Sequence, residues 1–148
     1  GRRLGIQTLD RYAHALGLGE CTGIELAGEQ AGVVAGPAYT QSLGEKWYEG
    51  SVLSAAIGQE NTRFPPLQLA HMTATLAGGG TRWQVHLLKK TAGEGYTPQR
   101  LGSLDLQGEH LEAIKAGMLA VTQEGSLSGA FRDPRGWFSF AGVVSRPV

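Results

Sequence analysis

The chain contains a single cysteine, Cys21, among its 148 residues. No disulfide can form within it, and a zinc site built on several thiolates is excluded. Neither sign of charge is in excess, with Lys plus Arg and Asp plus Glu at 13 each. The basic doublets Arg2-Arg3 and Lys89-Lys90 stand far apart. With no basic stripe and no net field, nucleic acid and anionic lipid are not expected partners. No apolar run approaches the roughly 18–20 residues that span a bilayer. No secretory leader is visible, so for an exported protein the export signal is expected upstream of these residues.

What is present is one domain's worth of sequence. Hydrophobic residues make up 41% of the chain, too many for a disordered composition. A chain of this length can bury roughly two-thirds of its unfolded surface. The 23 glycines predict many turns and close backbone approaches.

Leu9, Tyr12, Ala13 and Leu16 fall at helical spacing, with Thr8 as N-cap and Gly17 and Gly19 as the stop. Residues 21–44 lack periodicity. Ile24-Glu25-Leu26 reads as a short strand or extended edge, and 28–44 as a surface loop. An apolar run, Val52 to Ile57, is broken by Gly58. Pro65 and Pro66 suit the first turn of a helix, where an N–H lacks a partner anyway. From Leu67 to Ala77 apolar residues cover nearly every face, the pattern of a helix buried inside a larger fold. Gly78-Gly79-Gly80 ends it. Arg82 to Lys90 alternates like a strand, 92–105 reads as a polar loop, and Glu109 to Gln123 as a second long helix. Trp137 to Val144 is aromatic and β-branched, hence a strand. No internal repeat or low-complexity segment is present.

Few residues invite chemistry. The histidines His14, His71, His86 and His110 show no paired metal-ligand spacing, and His71 on the apolar helix reads as a hydrogen-bonded structural residue. Cys21 has no His or basic neighbour in sequence to lower its pKa. Gly78-Gly79-Gly80 follows a helix, whereas phosphate cradles precede one. The pairs Glu25 with Glu29 and Glu45 with Glu49 read as solvated loop carboxylates. Gln59, beside Gly58, reads as a side chain that bonds backbone and fixes loop shape.

Several segments resemble one family in a single register. Gly5-Ile6-Gln7-Thr8-Leu9 is similar to a Gly-Ile-Asp-x-Leu helix. Thr22-Gly23-Ile24-Glu25-Leu26, Gly28-Glu29 and Gly32 follow it. Trp47, Glu49 and Gly50 lead into Ala56-Ile57-Gly58-Gln59, which resembles a Ser-Ile-Gly-Gln turn. Phe64 to Ala70 resembles Thr-Pro-Leu-Gln-Leu-Ala, and Leu76 to Thr81 resembles Leu-Ala-Asn-Gly-Gly-Thr. Gly117-Met118, Val121 and Gly125-Ser126 match a late helix. Over residues 5–131 this resembles the transpeptidase domain of penicillin-binding proteins, nearest the high-molecular-weight class B type.

The resemblance implies an α/β (α+β) fold of the penicillin-binding and β-lactamase-like kind, with helices packed on an antiparallel sheet. It implies a serine transpeptidase that cross-links peptidoglycan stem peptides, binds β-lactams and needs no metal or organic cofactor. The parent would stand on the extracytoplasmic face of the bacterial plasma membrane. Gly58, Gln59, Pro66, Gln68 and Gly79 would be structural motif positions.

The family's chemistry needs a Ser-x-x-Lys nucleophile, a Ser-x-Asn motif and a Lys-Thr-Gly strand. No serine of this chain has Lys three places on, and Asn61, the only asparagine, is preceded two places earlier by Gln59. Lys90-Thr91-Ala92 is a near miss, but it lies before the late helix, whereas the family motif follows it. The expectation is a single partial domain over 1–148, starting just after the Ser-x-Asn position. In its divergent tail, 132–148, the Lys-Thr-Gly motif is either deleted or out of frame. The chain alone is expected to be inactive, with no catalytic, cofactor or metal residue of its own. A non-catalytic binding or scaffold module that self-associates or rearranges to cover exposed apolar surface is the alternative, and an unrelated small enzyme a third.

Overall fold

The structure, a computed structural model, describes residues 1–91 and 93–124. The strand expected at 137–144 and the tail lie outside the described residues.

Helix α1 spans Gly5–Ala15. Thr8 does not cap it. Thr8 sits inside the helix, Leu4 holds the N-cap position, and no side chain caps the end. The chain instead enters through a backbone turn in which Gly1 carbonyl accepts from the N–H groups of Leu4 (3.1 Å) and Gly5 (3.0 Å). The stop lies where expected: Gly17 takes φ +81° and its N–H donates to His14 carbonyl at 2.9 Å.

The region read as a loop to residue 44 contains a helix, α2, Pro37–Ser42. Pro37 at the first helical position starts it, a signal the short helix carries without any visible periodicity. Ile24 to Leu26 forms no strand. One isolated antiparallel bridge, Val33 to Arg63, joins this region to the chain ahead of α4. Helix α3, Ser51–Ala55, holds the first part of the apolar run, which continues through the C-cap Ala56 to Ile57 in the following turn, and Gly58 at φ +76° turns the chain after it.

Helix α4 is Pro66–Ala77, with Pro65 at its N-cap and Gly78 at its C-cap. Gly79 and Gly80 follow at φ +80° and +88°. The expectation of burial on every face is corrected: Leu69 is 43% exposed. The side chains most deeply buried are polar ones, Gln68 and Thr75. They form one helical stripe with His71, whose Nδ1 is also buried.

The run from Arg82 to Lys90 is not one strand. β1 is Thr81–Trp83 and β2 is Lys90–Thr91, separated by irregular chain. The supposed loop 92–105 supplies their partners, β3 (Glu94–Gly95) and β4 (Arg100–Ser103). β1 pairs antiparallel with β4, Thr81 opposite Ser103 and Arg82 opposite Gly102, and the register shifts between Arg82 and Trp83. Pairing resumes beyond that irregularity, with Trp83 opposite Arg100 and the Gln84 N–H on the Gln99 carbonyl at 2.8 Å, before the chain leaves the ladder. β2 pairs with β3 as a separate antiparallel ribbon. Helix α5 is Gly108–Gln123.

Helix α4 packs on β1 and against α5, while α1 packs against α3. This is an α+β arrangement with helices against antiparallel strands. Among the described residues the deeply buried apolar side chains are few, Leu18 and Ala35. Polar contacts therefore carry much of the job of holding the segments together.

Candidate functional site

Among the described residues, long-range hydrogen bonds converge on the carboxamide of Gln68, which is 1% exposed. Its Oε1 accepts the backbone N–H of Gly19 at 3.1 Å. Its Nε2 donates to the carbonyls of Ala31 (2.7 Å) and Glu20 (2.9 Å), with Gln30 carbonyl at 3.5 Å. One side chain of α4 thus satisfies backbone groups from both ends of the irregular segment 17–32. A buried amide with both ends used is stabilising, whereas one left half-paired is costly.

Glycine geometry makes the approach possible. Gly32, at φ +71°, lies so close that a Cβ there would stand 2.7 Å from Arg63 carbonyl oxygen and 3.3 Å from Gln68 Oε1. Only a residue without a side chain fits that position.

Strand β1 and the chain just after it add two more anchors. Arg82 Nη1 donates to Glu20 Oε1 at 2.7 Å and to His14 carbonyl at 3.3 Å, joining β1 to the end of α1. Gln84 Nε2 donates to the carbonyls of Thr22 (3.0 Å) and Gly23 (3.1 Å). Within the segment, Glu29 accepts the Thr22 hydroxyl, the Thr22 N–H and the Gly23 N–H. The Thr22 hydroxyl contributes most to holding the Glu29 carboxyl below its ordinary pKa, and the backbone N–H groups add to it. Glu25 accepts the N–H of Leu87 at 2.9 Å, which is the main reason its carboxyl is also lowered. Both glutamates read from sequence as plain loop carboxylates are therefore bonded, and each orders its own stretch of chain.

His71 donates Nε2–H to the Trp83 carbonyl at 2.8 Å, and the buried Nδ1 has no hydrogen-bond partner among the described residues. Its own carbonyl accepts the Thr75 hydroxyl at 2.9 Å. A cavity of about 260 Å³ lies between these anchors, with Glu20, Cys21, Thr22, His71, Arg82 and Gln84 in its lining. Cys21 is exposed, its Sγ 3.8 Å from Glu29 carbonyl oxygen. Among the described residues no group of three or more His, Cys, Asp or Glu is placed to hold a metal ion.

Of the five positions singled out from sequence, the structure brings only Gln68 into this network. Pro66 is the first residue of α4. Gly58 and Gly79 occupy left-handed turns with open space where a side chain would project. Gln59 is exposed, and it bonds through its backbone N–H, to Ser54 carbonyl at 2.9 Å, rather than through its side chain. Arg82, Gln84 and Glu29 were not legible as a group, because each lies far along the chain from its partner. Gly32 carried a signal only through the resemblance.

In chemical terms the network spends its donors and acceptors on the chain's own backbone. It fixes shape, and no nucleophile is aligned with a base. A second groove, of about 570 Å³, lies between the start of α1 and α3 and is lined in part by Arg2, Trp47, Glu49, Val52 and Leu53. No helix among the described residues is long and apolar enough to cross a membrane.

The penicillin binding protein transpeptidase domain model matches residues 1–138. The peptidoglycan D,D-transpeptidase MrdA of Acinetobacter baumannii is 29% identical over 133 residues, covering 86% of this chain and 20% of that protein. Among solved structures, a chain of a peptidoglycan synthase complex in which polymerization and crosslinking are coordinated superposes with a TM-score of 0.75 at 32% identity. That match covers 90% of this chain and 22% of the other. Pseudomonas aeruginosa PBP2, solved in complex with WCK 5153, superposes with a TM-score of 0.72 at 28% identity, over 84% of this chain and 29% of that one. The chain thus spans about a fifth of the length of the curated relative it matches. With the family model matched across residues 1–138 and the backbone superposing on solved relatives, the chain belongs to the penicillin-binding protein transpeptidase domain family.

Proposed function

We propose that these residues are scaffold of a serine D,D-transpeptidase domain, and that they have no acyl-transfer activity by themselves. The whole protein would cross-link peptidoglycan stem peptides and be acylated by β-lactams, on the extracytoplasmic face of the bacterial plasma membrane. The observation that carries this is a pairing: a family match across 1–138 in a sequence with no Ser-x-x-Lys, no Ser-x-Asn and no late Lys-Thr-Gly. Acyl transfer through serine needs a nucleophile whose proton a neighbouring base removes. Here no serine has a lysine at the required spacing. Labelling with a fluorescent penicillin tests the proposal. The isolated chain is expected to stay unlabelled under conditions that label a complete relative, and a covalent adduct on the chain would overturn it.

A scaffold module that works through protein contacts is the second reading. It is favoured by the large apolar side chains left in solvent, among them Tyr48 at 63%, Leu53 at 53% and Ile57 at 76% exposure. Such a surface marks a contact face when it is contiguous.

A further inference from the structure

Residues 17–32 contain no helix or strand, and Gly17, Gly19, Gly23, Gly28 and Gly32 all take positive φ. Such a stretch has little preference of its own for one shape. Its fixed course comes from outside. Gln68 grips it at Gly19, Glu20 and Ala31, Gln84 at Thr22 and Gly23, and Arg82 at Glu20. All three side chains belong to α4, β1 or the residue after β1, which form one packed body with α5. The segment's internal bonds, from Thr22 and Gly23 to Glu29, hold it together but attach it to nothing.

We propose that residues 17–32 open and close on the α4–β1 body as a single unit, with the Gln68 carboxamide as the latch. This inference rests on the hydrogen-bond geometry and is independent of the activity proposed above. Removing the carboxamide penalises only the closed state. There Gly19 N–H and the carbonyls of Glu20 and Ala31 would be left without their partner, whereas in the open state water satisfies them. A local opening that needs no unfolding of the rest is what native-state hydrogen exchange resolves.

The test is amide exchange on the full chain and on Gln68→Met, which keeps volume and removes the bonds. The informative reporter is Leu87, outside the segment, whose N–H bonds to Glu25 within it at 2.9 Å and loses no partner in the variant itself. Its exchange is expected to rise about 10- to 100-fold together with that of Gly19, while α5 amides stay unchanged. Gln84→Met, which removes different anchors, is expected to speed Gly19 in turn. Acceleration at Gly19 alone would show no unit. Equal acceleration through α5 would show global destabilisation, and absence of protection at Gly19 and Leu87 in the parent chain would show no closed state. Each of these three results overturns the proposal.

Discussion

One carboxylate oxygen of Glu29 receives both the hydroxyl (2.6 Å) and the backbone N–H (2.7 Å) of Thr22, a residue itself 6% exposed. Its second oxygen takes the N–H of Gly23 at 3.0 Å. The loop that contains both residues thus closes on a charge.

Acid should loosen this loop. The Glu29 carboxyl is lowered in the folded chain by the Thr22 hydroxyl first and by backbone N–H groups after it. A depressed carboxylate contributes stability that is present above its unfolded pKa, and that stability is lost as pH falls through the folded value. The expected window therefore begins near the ordinary glutamate value of 4.5 and extends below it. Glu29→Gln should flatten the pH dependence of Thr22 and Gly23 amide protection in that window, read by NMR. An unchanged acid response in the variant would assign the effect to other groups, Glu25 being the nearest in kind, since its carboxyl is lowered by the Leu87 N–H.

Two glycines with the same backbone should respond unequally to alanine. Gly28 and Gly32 both have positive φ, +83° and +71°. A Cβ at Gly28 meets nothing within 4 Å, whereas one at Gly32 would stand 2.7 Å from the Arg63 oxygen and 3.0 Å from Pro65 Cδ. Gly28→Ala is expected to cost about 1–2 kcal/mol, the left-handed penalty alone. Gly32→Ala adds steric overlap and should reach about 3 kcal/mol. Urea unfolding compares them, and equal costs would contradict the close approach.

Arg82→Gln should weaken the tie between β1 and the end of α1. Arg82 is 21% and Glu20 50% exposed in the side chain, so solvent screens the pair and about 0.5–1 kcal/mol is expected. Part of that difference should vanish in about 1 M salt, where the screening length falls to roughly 3 Å. A salt-independent loss would indicate that the bond to His14 carbonyl, not the ion pair, carries the contact.

Exposed Tyr48, Leu53 and Ile57 predict self-association of the isolated chain. Sedimentation velocity should show mass increasing with concentration, and Leu53→Ser with Ile57→Ser should reduce it. A monomer across the concentration range would count against a contact role for these side chains.

Much of the scaffold was readable in the linear chain because its signals are local. Pro65 and Pro66 start α4, the glycines at 78–80 end it, and the apolar spacing of residues 109–123 marks α5. The motif register that points to the family is likewise a property of the chain alone, and both the fold and the family match agree with it. Alternation between Arg82 and Lys90 misled because period two reports a possible strand, while pairing depends on what lies beside it. The partners of β1 and β2 came from 94–103, and residues 84–89 between the two strands form no strand.

The role of Gln68 lay beyond local reasoning for the same kind of cause. Helical periodicity records apolar residues, and on α4 it points to leucine and alanine faces. The stripe that is buried deepest runs through Gln68, His71 and Thr75, since backbone groups 37 to 49 residues away in sequence are brought onto it. A polar side chain is stable inside a fold only where its partners converge. The sequence determined where α4 begins and ends and which family it belongs to. Only the tertiary structure decided which face is covered, because the covering groups are carbonyls and N–H groups that every residue type carries alike.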